Sequence, residues 1–316
     1  GAERLTWVSA SKWAMSGRGK ADRLDLYHAT NFRMHTVGRY GGIVTIHDVW
    51  LERFPEYSRK FLGQRLSSYK TKRTARRAKK VVTVSRFSAQ ELVDVFGLSA
   101  DHIAVIPNGV SEEFSPLHDT AAFMALKQRI GLRNDRFLLF VGGADPRKNH
   151  RIVLEAASLI QSQLTGRTLL LVGSPTHAFG SYERTAASFG LIKQVLCPGR
   201  LSQEDLRLLY SHAELFLFPS LYEGFGMPVL EAMACGAPVI TSKTTALGEV
   251  AGDAAVLVDP LNARELADGM SRVLESESLR ASLTAKGFAR VKEYTWSHAA
   301  AQTLDLYASL LPLGGP

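Results

Sequence analysis

Two carboxylates, Glu223 and Glu231, stand with seven residues between them in the stretch FPSLYEGFGMPVLEAMACGAPVI at residues 218–240. The apolar start reads as the end of a buried strand. A loop holding Gly224 and Gly226 follows, and then a helix over Pro228–Ala234, where proline suits the first turn. The glycines let the backbone approach a ligand, because no Cβ stands in the way. A helix start at the carboxyl end of a strand suits an anion, and a carboxylate there accepts from vicinal hydroxyls as in a ribose site. A phosphate flanked by two sugars, as in a nucleotide diphosphate sugar, satisfies both acids. Taken singly, Glu223 also reads as a solvated loop acid and Glu231 as a first-turn acid favoured by the helix dipole.

A second cluster, Gly142, Gly143, Ala144, Asp145, Pro146, Arg147, Lys148, Asn149, follows the apolar run Phe137–Val141. Asn149 is expected to cap a helix starting near His150, which sets Arg147 and Lys148 at the carboxyl edge of the same sheet. Two cations there neutralise a diphosphate leaving group without a metal. A solvated basic turn is the plainer alternative. The dinucleotide alternative is weak: no G-x-G-x-x-G fingerprint occurs, and the run Thr168–Val172 ends in Gly173-Ser174 instead of an acid.

These residues need a scaffold of parallel strands. Apolar runs without polar alternation, at Leu24–His28, Ile43–His47, Val81–Ser85, Ile103–Pro107, Phe137–Val141, Thr168–Val172, Val195–Cys197, Leu215–Pro219, Val239–Thr241 and Ala255–Val258, are mostly separated by helical segments of about a dozen residues. The pattern predicts an α/β protein with two doubly wound domains. The expected boundaries are 1–115, a polar linker over 116–135, and 136–316, the last closed by helices over Leu261–Leu274, Leu279–Val291 and His298–Leu310.

The 316 residues suit two domains, and 46% hydrophobic with 22% charged residues excludes collagen-like, coiled-coil and wholly disordered chains. Two cysteines, Cys197 and Cys235, exclude a disulfide scaffold and fit a reducing compartment. No apolar stretch reaches the length of a membrane span. The net charge of +8 falls wholly in residues 1–115. Between Glu56 and Glu91 there is no acid, while the run Arg59–Lys80 holds ten bases. Leu62, Leu66 and Tyr69 with Arg65, Lys72, Arg73, Arg76 and Arg77 make a basic, partly amphipathic helix suited to anionic lipid, or else a solvated face. With only Phe61 and Tyr69 to stack on bases, a nucleic-acid partner is not expected.

The EGFGMPVLEAMACGAPVI block with FPS before it, RKN after a Gly-Gly strand end, IPNGV at 106–110 and VTIHD at 44–48 together resemble the retaining glycosyltransferases of family 4. The resemblance runs from about Asp25 to the C-terminal helices. It implies the GT-B fold, two Rossmann-like domains facing across a cleft, the first binding acceptor and the second a nucleotide-sugar donor, with no cofactor or metal required. It assigns Glu223 to the donor sugar and Glu231 to the ribose. The amides at Gly224, Phe225 and Gly226 meet the sugar, and those around Pro228 and Val229 the phosphate. Lys148 and Arg147 hold the diphosphate beside Gly142 and Gly143, His47 stands in the cleft near the transferred sugar, and Arg200 lies near the base.

The Gly-Gly-x-Asp-Pro-Arg-Lys-Asn form resembles bacterial mannosyltransferases of surface polysaccharide assembly, so GDP-mannose is the expected donor, before a UDP-hexose. A saccharide or lipid-linked saccharide acceptor and a cytoplasmic place on the inner face of the membrane follow. Gly143 and Ser111 depart from the family's usual Arg and Asp. The first βα unit is not recognisable in residues 1–24, so the amino-terminal domain is expected to be truncated. A non-catalytic nucleotide-sugar-binding protein is the alternative.

Overall fold

The computed structural model describes residues 24–34, 41–57, 61–177 and 180–311, and the side chains of all these except 61–65, 176, 177 and 180. The unrecognised βα unit, Arg59 and Lys60 and the side chains of Leu62 and Arg65 lie outside them. The chain forms two compact units. One runs to Ile106 and includes the residues from Ala300 onward; the other is Pro107–Ala299.

The first unit is built on four parallel strands, β1 (Tyr27–Ala29), β2 (Gly42–Thr45), β3 (Lys80–Thr83) and β4 (Ile103–Val105), in the order β1-β2-β3-β4. Val44, Ile46 and Val81 bury against Ala75, Leu92 and Phe96. A short helix α1 (Trp50–Arg53) and the basic helix α2 (Phe61–Arg77) connect β2 to β3, and α3 (Arg86–Phe96) connects β3 to β4. The Ser85 hydroxyl accepts the Ser88 N–H to start α3, and Gly97 at φ +66° ends it.

The basic run is less free than its composition implies. Lys72 Nζ donates to Val95 O at 3.3 Å and an Arg76 nitrogen to Phe96 O at 3.2 Å, so two cations cap the carboxyl end of α3. Lys79 donates to Leu310 O and Lys80 to Asp101 O. Leu66, Tyr69, Lys70, Arg73 and Arg77 remain exposed, at spacings that share one helical face.

The second unit holds β5 (Arg136–Val141), β6 (Arg167–Val172), a two-residue antiparallel pair β7 (Thr176–His177) and β8 (Gly180–Ser181), β9 (Val195–Gly199), β10 (Leu215–Phe218), β11 (Val239–Ser242) and β12 (Val256–Val258). Its main sheet runs β12-β11-β10-β5-β6-β9, all parallel. That is the doubly wound order, with the winding reversing between β5 and β10. Leu138, Phe140, Leu169, Leu171, Leu215 and Leu217 are fully buried on one face, each worth roughly 1.5–3 kcal/mol over exposure. All ten apolar runs form strands.

Two domain expectations change. The stretch 116–135 is not a polar linker: α4 (Thr120–Ile130) fills it, started by the Asp119 carboxylate accepting from Ala122 N and burying Phe123 and Leu126. The last helix does not simply close the second domain. After α5 (His150–Leu159), α6 (Tyr182–Ser188), α7 (Gln203–His212), α8 (Met227–Ala234), α9 (Thr245–Ala251), α10 (Ala263–Glu275) and α11 (Glu277–Val291), α12 (Trp296–Leu310) carries Tyr307 into the first unit. There the Tyr307 hydroxyl is 2.6 Å from His28 Nδ1, and His28 Nε2 is 2.8 Å from Thr45 Oγ1. Polar side chains, invisible to hydrophobic pattern, decide where this helix belongs.

Candidate active site

The winding reverses between β5 and β10, and the two clusters singled out in the sequence lie directly after these strands. Ligands of open α/β sheets bind in that crevice. After β5, Gly142 N donates to Val172 O and Ala144 N to Ser174 O, which extends the β5–β6 pairing into the loop. Gly142 O accepts from the Tyr182 hydroxyl at 2.7 Å. Gly173, at φ +137°, must be glycine: a Cβ would fall 1.4 Å from Gly142 O.

The Asp145 carboxylate then accepts from Arg147 N at 2.9 Å and starts a single 3-10 turn, Pro146–Lys148. Asn149 does not cap α5 with its side chain. Its backbone sits at φ +60°, and its amide nitrogen donates to Pro219 O at 3.0 Å and Pro260 O at 2.7 Å. Asn tolerates this left-handed backbone and its two amide hydrogens tie the ends of β10 and β12 to the β5 turn.

The loop after β10 is bound to that turn as well. Leu221 N donates to Arg147 O at 2.8 Å. The Ser220 hydroxyl, fully buried, lies 2.8 Å from both Arg147 O and Glu223 Oε1, and Ser242 Oγ donates to Ser220 O. Lys148 Nζ donates to Glu223 Oε1 at 2.6 Å and lies 5.0 Å from the Phe218 ring centroid. Glu223 is 8% exposed, so this pair is screened little by water.

The remaining expected residues divide. Gly224, Phe225 and Gly226 are buried, with the Phe225 ring edge-on to Tyr294. Gly226 sits at φ +121°. At the start of α8, Pro228 has no N–H and Val229 N donates to Gly226 O at 3.0 Å. Glu231 lies beyond the first turn of α8. Its carboxylate accepts from the Tyr210 hydroxyl at 3.2 Å, and burial raises its pKa, partly offset by that bond. Arg200 is exposed just past β9 at the same sheet edge. His47 is in the other unit, where Nε2 donates to Thr30 O at 3.1 Å.

Residues 125–290 match the family model of group 1 glycosyl transferases, and residues 2–114 match that of Glycosyltransferase Family 4. The chain belongs to the family 4 glycosyltransferases. This glycosyltransferase is 32% identical over 322 residues to the O-antigen chain mannosyltransferase B of Escherichia coli, covering 98% of the chain and 80% of that relative. It is 31% identical over 239 residues to the serotype-specific mannosyltransferase WbdA of the same organism, covering 74% of the chain but 29% of that protein. The sucrose-phosphate synthase of Thermosynechococcus elongatus superposes with a TM-score of 0.73 at 24% identity over 90% of the chain and 73% of the synthase. The fold is GT-B, with two Rossmann-like domains.

Four residues that shape this glycosyltransferase's site escaped the sequence reading: Ser220, Tyr210, Tyr182 and Thr245. FPS marks Ser220 at a strand end, but nothing local says that its hydroxyl meets a carboxylate. Thr245 starts α9 with a β-branched side chain at φ +62°, and its Oγ1 is buried without a partner among the described residues. The next amide, Ala246 N, donates to Glu223 O at 3.4 Å. Strain of this kind gathers at functional sites.

Proposed function

We propose that this glycosyltransferase moves mannose from GDP-mannose to a saccharide acceptor with retention of anomeric configuration, and that the acceptor is lipid-linked. The observation carrying the reading is the Lys148–Glu223 pair at the switch point. It supplies a cation for a diphosphate and a carboxylate for sugar hydroxyls in one place. The mannosyltransferase names of the relatives support mannose, and a UDP-hexose is the second donor.

Glu223 accepts from the sugar hydroxyls and Glu231 from the ribose. Lys148 and Arg147 take the charge of the leaving diphosphate beside the Gly142 and Gly143 backbone, and no metal is needed for this. The amides around Pro228 and Val229, at the start of α8, complete the anion site. Arg200 lies by the base, and His47 is the family's residue for the transferred sugar. The glycosidic bond to phosphate breaks, the acceptor oxygen bonds to the same face of the anomeric carbon, and its proton passes to a leaving phosphate oxygen. No separate base is required.

On the acceptor side, the exposed face of α2 with Leu66, Tyr69, Lys70, Arg73 and Arg77 fits an anionic membrane surface. Among the described residues no helix is long and apolar enough to cross a membrane. The test is transfer to a lipid-linked mannoside from GDP-mannose and from UDP-glucose, with chelator present, and the product anomer read by NMR. Turnover of GDP-mannose alone with an α product is expected. Transfer only from UDP-glucose, or a β product, overturns the reading.

A further inference from the structure

We infer that Tyr210 is a positioning residue for Glu231, and through it for the ribose of the donor. The inference rests on the assignment of Glu231 to ribose hydroxyls above. Tyr210 lies in the last turn of α7, directly before β10, and Glu231 lies in α8, directly after it. The two helices therefore flank one strand, which brings together residues 21 positions apart.

Tyr210 is fully buried. Its ring stands edge-on to Phe216 at 5.2 Å and to Phe114 at 6.1 Å. A ring held on two sides has one place for its hydroxyl, and that place is 3.2 Å from Glu231 Oε2. Burial and the neighbouring carboxylate push the phenol well above its ordinary pKa, so it donates and does not ionise.

Glu231 is half-buried, and no cation pairs with it among the described residues. A carboxylate in that setting loses hydration without an ion pair to offset it, so the fold alone gains little from it. One phenol fills one of its roughly four acceptor positions. With Oε2 fixed by Tyr210, Oε1 is left to a ligand, and its two acceptor positions match two adjacent hydroxyls. Tyr210 touches no ligand in this scheme; it sets the direction of the carboxylate that does.

The test uses the full chain and compares binding of GDP with binding of 2′,3′-dideoxy-GDP by calorimetry, with the UDP pair run in parallel, beside donor KM and kcat. The unaltered protein should prefer the ribonucleotide. Tyr210→Phe keeps the ring and should weaken GDP binding about three- to tenfold, raise donor KM by the same factor, and leave dideoxy-GDP binding and kcat within about twofold. In a Glu231→Gln background it should add nothing. If Glu231→Gln keeps the ribose preference, the ribose assignment itself fails. If Glu231→Gln loses the preference but Tyr210→Phe keeps it, the role of Tyr210 fails. Should Tyr210→Phe not fold, 3-fluorotyrosine at position 210 strengthens the donor without changing the packing. An unchanged preference for GDP in that protein also overturns the inference.

Discussion

Lys148 and Glu223 are bonded to each other at 2.6 Å, so the cation proposed for a diphosphate and the carboxylate proposed for a sugar neutralise one another. A donor carrying both parts repays the broken pair twice, with phosphate on Lys148 and hydroxyls on Glu223. A nucleoside diphosphate without sugar repays it once and leaves Glu223 facing an anion. In the proposed mechanism the pair couples the two halves of donor recognition and favours release of the spent nucleotide.

Glu223→Gln separates these effects. Transfer should fall by about 10²–10³, the scale of losing one preorganised contact to the transition state. GDP binding should tighten several-fold, because Lys148 is freed. Unaltered transfer, or weaker GDP binding, contradicts the coupling; kinetics and calorimetry on one preparation decide it.

Gly173→Ala should be severe. The added methyl meets Gly142 O at 1.4 Å in a backbone that already disfavours side chains. The end of β5 must move, with a loss of roughly 3–5 kcal/mol by denaturant unfolding and a higher donor KM. A variant as stable as the parent would show that the β5–β6 ends have room to part.

Thr245→Gly should stabilise the protein by about 1 kcal/mol. It removes a β-branched residue from a left-handed backbone and deletes a buried hydroxyl with no partner, against the extra entropy of glycine. A rise in melting temperature with lower kcat would mark the strain as functional; a fall would remove the strain account.

Acid should weaken the fold before the carboxylates titrate. Burial lowers His28 and His150 from 6.5 to about 4. Between those values the unfolded chain takes up protons that the folded chain refuses, so stability rises with pH across that window and is lost as pH falls through it. His28→Gln or His150→Gln should each flatten this limb by on the order of 2 kcal/mol, read from melting temperatures at successive pH values. An equally steep limb in both variants would assign it to other groups.

Membrane docking through α2 predicts salt-sensitive flotation with anionic vesicles and little with neutral ones. Tyr69→Ser with Arg73→Glu should abolish it, whereas Lys72→Gln, at a lysine already bonded to Val95 O, should cost more stability than binding. No binding to anionic vesicles by the parent removes the membrane proposal.

Every strand of the two main sheets was legible in sequence, because short runs rich in apolar and β-branched residues alternate with helical segments and that signal is local. The placement of Lys148 after Gly142 and Gly143, and of Glu223 before Gly224 and Gly226, was legible for a related reason: a strand end, a turn residue and a helix start follow each other along the chain. Asn149 was visible but misread, since a capping residue and a residue bridging two distant carbonyls look alike until Pro219 and Pro260 are seen beside it. The polar stretch 116–135 concealed a helix because only two of its residues, Phe123 and Leu126, carry its apolar contact.

The sequence by itself thus determined the sheets and the chemical types at their carboxyl edge, which depend on near neighbours in the chain. Only the tertiary structure decided which of those groups bond one another, Lys148 to Glu223 across 75 positions and His28 to Tyr307 across 279. A hydrogen bond is fixed to a few tenths of an ångström by atoms from distant segments, and no local pattern records such a meeting.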